Sequence, residues 1–286
     1  MTGISKGAEP AWVCPACKTT LVTPYCPQCG ERPVRPMDLR LGKLAAKLLH
    51  ATTSIDGKLL RTLWRLLRQP GQLTVDYVSG NRQPYIAPFQ LFLLANVLFF
   101  AIQSLTGMNI FGSTLDSHLH HQDWSELAQS LIAGHLEHTH TTLELYAPHF
   151  DRAVVLYAKS LVILMALPFG LLLALVFLGN HKPFMTHVVF ALHLYTFLLL
   201  LFSLAVLVAA ASVLLGGPGL DAPMMDNVLS VFNLVVCAVY IHLASRPVFT
   251  AATSVRALKA ALLAVAAGAV VVGYRFVIFL ITVLLT

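Results

Sequence analysis

The run VVFALHLYTFLLLLFSLAVLVAAASVL, from Val188 to Leu214, is 27 residues long and contains no Asp, Glu, Lys or Arg. A helix needs about 20 apolar residues to cross a bilayer. This stretch therefore reads as a transmembrane helix, with length to spare for tilt or extension. Working outward, the same criterion marks 86–105, 154–178, 228–244 and 258–280, the last staying apolar to Thr286. The bulk numbers agree. Hydrophobic residues make up 57% of the 286, charged residues only 11%, and mean hydropathy is +0.74. Soluble domains carry about 25% charged residues, so the expected fold class is an all-α polytopic membrane protein of about five spans. No secretory signal is expected, because 1–85 has no early apolar run of the required length.

Charge is sorted along the chain. Twelve of the 19 Lys and Arg fall in 1–85, and eight of the 13 acids fall in 107–152 and 215–227. Positive residues concentrate on the cytoplasmic side of membrane proteins. That rule places the N-terminus inside and, after five spans, the C-terminus outside. The 179–187 and 245–257 loops, with Lys182, Arg246 and Arg256, then also lie inside.

A second argument gives the same orientation. Cys14-Pro-Ala-Cys17 and Cys26-Pro-Gln-Cys29 form two C-P-x-C knuckles. Four thiolates in paired turns suit a tetrahedral metal site, and zinc fits best, with Zn–S near ~2.3 Å. Iron in a rubredoxin-like site, or a redox pair, would use the same residues. Four protein ligands leave no open coordination position, so the zinc would be structural and would supply most of the ribbon's folding free energy. Reduced thiols persist in the cytosol. Residues 1–13, ahead of the knuckles, read as disordered, and 1–36 as ribbon plus linker. Cys237 lies in an apolar run and reads as a small buried hydrophobe.

Residues 37–85 are read as basic amphipathic helices and an interfacial collar. Arg40, Lys43 and Lys47 share one helical face, and Lys58, Arg61, Arg65 and Arg68 repeat that spacing with leucines opposite. Such helices can lie on anionic lipid, or pack on the bundle and show their charge to solvent. Nucleic acid is a poorer partner, for lack of interleaved exposed aromatics. The collar reads P-G-x5-Y-x2-G-x-R-x2-Y-x2-P from Pro70 to Pro88. This motif, following a short four-cysteine ribbon, resembles an uncharacterised bacterial family of multi-span membrane proteins, a domain of unknown function. The resemblance covers about 14–106. It implies a zinc ribbon joined to a bacterial inner-membrane domain spanning 86–286, and brings no activity with it.

Other candidates are spread over the spans and loops. The external loop 107–152 holds seven of the 12 histidines, including His135 and His138 one helical turn apart. Imidazoles with carboxylates could hold zinc or copper loosely or sense pH, but a solvated polar loop is the plainer reading. Trp124, Leu127, Leu131 and Leu136 suggest a short amphipathic helix there. Arg275 lies inside the last span, where a charge marks a functional candidate or a snorkelling side chain; Asp221 and Asp226 are possible partners. His187, His193 and His242 sit near the inner ends of the third and fourth spans and could converge on a proton or metal site. Ala264/Gly268 and Ala269/Gly273 would permit close helix contact. No catalytic constellation is present. The expectation is a membrane protein whose cytosolic ribbon docks a protein partner or the lipid surface, with homo-oligomerisation left open. The alternative is a small cation or metal transporter.

Overall fold

The computed structural model describes residues 12–13, 19–22, 57–82, 84–107, 111–217 and 223–286, with side chains from 228 onward in the last segment and without that of Trp12. The chain divides into two compact units, Met1–Gly57 and Lys58–Thr286. In the first, β1 (Trp12–Val13) pairs antiparallel with β2 (Thr20–Leu21), Val13 facing Thr20. The sequence pattern alone reads Trp12 and Val13 as disordered; pairing across the first knuckle makes them a strand.

The regular elements described in the second unit are all helices. It starts with α1 (57–68) and α2 (Gln72–Val78). Then come α3 (Pro88–Thr106), α4 (Leu115–His120), α5 (Ser125–Thr139), α6 (Leu143–Leu161) and α7 (Ala166–Val176). The longest helices close the chain: α8 (Phe184–Leu214), α9 (Pro223–Val248) and α10 (Thr253–Leu285). Five helical stretches are long and apolar enough to cross a membrane: α3, Leu143–Val176, α8, the Val228–Val248 part of α9, and α10.

Local chemistry sets the boundaries. Pro88 occupies the first turn of α3, where its missing N–H costs nothing, and Gly107 ends the helix at φ 73°. The second span is interrupted. Its helix tightens into a 3-10 turn over Val162–Met165, just ahead of Pro168, because a proline ring clashes with the carbonyl four residues earlier and removes one helical hydrogen bond. Lys259 Nζ donates to the Val176 carbonyl at 2.7 Å, covering an orphan oxygen at the end of α7. Several hydroxyls inside the spans bond to their own helices, as in Thr196 to Leu192 O and Thr282 to Ile278 O, both 2.7 Å.

Several helices outrun the apolar runs that announce them. At 1.5 Å per residue, α8 is about 46 Å long and α10 about 50 Å, against a hydrocarbon layer of ~30 Å. The excess carries the remaining elements. α1 and α2 pack where α8 and α10 begin and α9 ends. α4 and α5 pack at the opposite end, on α6 and the last turns of α10. An aromatic cluster beneath α4 joins Phe99, Phe100, Phe111, Phe202 and Tyr274.

Candidate functional site

The collar is a short helix driven into the bundle. Pro70-Gly71 turns the chain out of α1, and Gly71 takes φ 81°. A Cβ at this position would overlap the backbone carbonyl of Ala244 in α9. Only glycine permits both the left-handed turn and the close approach. α2 then lies between α8 and α9, burying Leu73, Thr74 and Asp76.

Each buried polar group on this wedge has a partner. Thr74 Oγ1 shares a 2.8 Å hydrogen bond with His193 Nδ1 of α8. Asp76 Oδ2 accepts from Arg65 Nε at 3.1 Å and from Nη2 at 2.9 Å, tying α2 back to α1. Tyr240 of α9, stacked on Phe197 with centroids 3.8 Å apart, donates its hydroxyl to Leu66 O. Thr62 Oγ1 accepts from the Ile86 amide, so α1 also fixes the start of α3. The remaining motif residues close a local turn. Gly80 takes φ 95°, Arg82 donates Nε to Tyr77 O at 3.0 Å, and its guanidinium lies 4.5 Å from the Tyr77 ring centroid.

The lock orients α1. Leu59, Thr62, Leu63 and Leu66 face the bundle. Leu60, Trp64 and Leu67, at i, i+4 and i+7, face away, 69%, 62% and 52% exposed. Arg61 and Arg68 flank this stripe, with the Arg68 guanidinium 4.4 Å from the Trp64 ring centroid. Spacing alone groups Lys58, Arg61, Arg65 and Arg68 opposite the leucines. In the structure Arg65 turns inward to Asp76, and the leucines divide between the two faces. Arg40, Lys43 and Lys47 lie outside the described residues.

The four ribbon cysteines, Cys14, Cys17, Cys26 and Cys29, also lie outside them. Nearby, the β1–β2 pair brackets the first knuckle in sequence, Val13 and Thr20 being partners on either side of it.

The other histidines are not brought together. His193 is taken by Thr74. His187 Nδ1 lies 3.3 Å from Pro183 O, and its ring stacks on Phe249 at 5.3 Å. His242 is on α9, half-buried. Among the described residues, no three His, Cys, Asp or Glu lie close enough to hold a metal ion. His135 packs its ring 4.8 Å from that of Tyr146, whereas His138 on the same helix is exposed.

Arg275 reaches the opposite end of the bundle, where Nη2 donates to Ser113 Oγ at 2.6 Å. The side chains of Asp221 and Asp226 lie outside the described residues. Beside Arg275, the loop buries one histidine that the sequence does not single out. His118 is 1% exposed, its ring 4.7 Å from Phe279, and it accepts from Trp124 Nε1 at 3.2 Å. Burial, and secondarily the Arg275 charge, lower its pKa from 6.5 to about 4, so the ring is neutral at pH 7.

Residues 56–100 match the family model described as Protein of unknown function (DUF3667). The matched stretch takes in α1, the wedge and collar, and most of α3. No curated protein and no solved structure matches the chain.

Proposed function

We propose that this chain is a membrane-anchored docking protein. The five-helix bundle holds the wedge; the wedge holds α1 in a fixed attitude at the cytosolic face; and the segment before α1 carries a zinc-held ribbon that binds a protein partner. The observation supporting this reading is the wedge itself. The family-matched segment spends its buried polar groups on locking α1 and α2 to the bundle, and presents Leu60, Trp64 and Leu67 between two arginines. Apolar anchors with interfacial Trp and Arg suit the headgroup layer of an anionic leaflet. Cys14, Cys17, Cys26 and Cys29 would supply the zinc shell, each as thiolate, with structural rather than catalytic consequence.

The test uses the full chain in membranes of its own host. Replacing all four cysteines by serine should remove about one zinc per chain and abolish cross-linking of a discrete partner to the ribbon, while membrane insertion and helix content stay unchanged. A variant that keeps its zinc or its partner contradicts the proposal. The alternative of a cation path has no observation favouring it among the described residues, since the histidines it would need are not brought together.

A further inference from the structure

A cavity of about 420 Å³ lies where α8, α9 and α10 meet, towards the end of the bundle that carries α4 and α5. Its walls include Leu198 and Phe202 of α8, Asn233 and Cys237 of α9, and Ala267 and Gly268 of α10. The volume is that of a ligand site, in the range of ~300–1,000 Å³. It exists because small residues stand where the three helices converge. Gly268 would place its Cβ in open space, with nothing within 4 Å. The sequence suggests that Gly268 and Gly273 draw helices together; neither touches a neighbouring helix in that way. At Gly268 the missing side chain makes room.

Two observations identify the occupant. First, the walls belong to the apolar spans, and the lining residues Ser230, Leu234, Gly268 and Val272 are themselves exposed on the outside of the bundle. The cleft is thus continuous with the surface the bilayer covers. An apolar-walled space of this kind does not hold water well, and an empty one forfeits dispersion contacts on every side. Hydrocarbon is the matter at hand to fill it. Second, Asn233 places its Oδ1 out of contact with solvent and without a hydrogen-bond partner. In a bilayer an unsatisfied amide is costly. Asn233 lies ten residues into α9, about 15 Å from the helix start and nearer that end than the other. With Oδ1 turned away, Nδ2 is the amide group left toward the cleft, and a lipid whose chain fills the cleft can bring an ester carbonyl of its glycerol backbone to accept from it.

We propose that this cleft binds a membrane lipid laterally, taking one hydrocarbon chain against Phe202, Ala267 and Gly268 and a lipid ester carbonyl that accepts from the Asn233 amide nitrogen. The reading is independent of the docking function and requires no contact at α1 or the ribbon.

The test is photolabelling of the full chain in nanodiscs with phosphatidylglycerol carrying a diazirine on one acyl chain. The α9 and α10 peptides around Cys237 and Gly268 should label more strongly than the equally lipid-facing Phe89–Val97 stretch of α3. Gly268→Phe, which fills the cleft, should abolish that excess while the α3 signal and the thermal unfolding midpoint hold or rise. Asn233→Leu should lower cleft labelling by about fivefold, the worth of one net hydrogen bond. Labelling of the cleft equal to that of α3, or an excess that survives Gly268→Phe, would overturn the proposal and reduce the cleft to ordinary annular contact. An undiminished signal in Asn233→Leu would remove the polar half of the recognition and sink the proposal as stated.

Discussion

At one end of the bundle, α2 is held between α8 and α9 by paired polar groups: Arg65 with Asp76, Thr74 with His193, and a glycine seated on the Ala244 carbonyl. At the other end, α4 is held mainly by aromatic packing, with His118 among Trp124, Phe150 and Phe279, and with Arg275 and Asp151 tied to Ser113 and to the Leu115 amide. Both ends use lengths of helix that exceed the bilayer. They differ in what a perturbation would do. A lock of directional polar pairs with one backbone overlap point is intolerant of shape change. A cap packed around a neutral imidazole tolerates shape change better and is sensitive to acid.

The largest expected effect breaks the first end. Gly71→Val should cost upwards of about 4 kcal/mol, because a side chain there must push α2 off Ala244 and adopt a positive φ as well. Thermal unfolding in detergent, with proteolysis between α1 and α3, reads it. A midpoint near wild type would mean the wedge is not seated.

The second expectation concerns pH at the other end. His118 folds with a pKa of about 4, below its ordinary 6.5, so the unfolded chain takes up the proton first. Stability is therefore level above pH 6.5 and declines as pH falls from 6.5 to 4, by about 3 kcal/mol in all at ~1.4 kcal/mol per unit. His118→Phe should flatten that decline. An identical acid profile in this variant would show that other groups carry it.

Smaller changes sharpen the contrast. Asp76→Ala should cost about 2 kcal/mol by leaving Arg65 half-buried without its carboxylate, and Arg65→Ala combined with it should cost less than the sum. A fully additive double variant would deny the pair its role. Trp64→Ala should leave stability within about 0.5 kcal/mol, since the ring is mostly exposed. Accessibility of the 57–68 segment to a water-soluble label in phosphatidylglycerol nanodiscs should nevertheless rise. No change in labelling would argue against contact between this face and the headgroup layer.

How much of this can be read from the chain follows from the physics of each part. The spans are legible because twenty apolar residues in a row have few other fates. Their extensions are less so. The second span begins at Leu143 rather than 154, because Glu144, His149, Asp151 and Arg152 break the apolar run while one face, with Tyr146 and Phe150, stays buried. α2 reads as turns, since proline, glycine and two valines disfavour an isolated helix of seven residues; only α8 and α9 make it one. The rotation of α1 escapes the pattern for a related reason. Both its faces carry leucine, and the partner that draws Arg65 inward is eleven residues away on an element the pattern does not announce. In the loop, a helix bearing Leu127 and Leu131 is expected and found, yet Ala128 and Ile132 are the residues it buries. His118 is hidden among seven histidines, although its position between Leu115 and Leu119, with Trp124 beyond, is a usable signal.

Hydrogen exchange across Gln72–Val78 in the full chain, reconstituted in nanodiscs, tests the wedge most directly. The lock predicts that α2 amides exchange as slowly as those of α8 around His193, and that Gly71→Val brings α2 to the rate of an exposed turn while α8 changes little. If α2 in the unaltered protein already exchanges like the exposed turn after Gly80, the wedge is not locked, and the platform for docking has no fixed base.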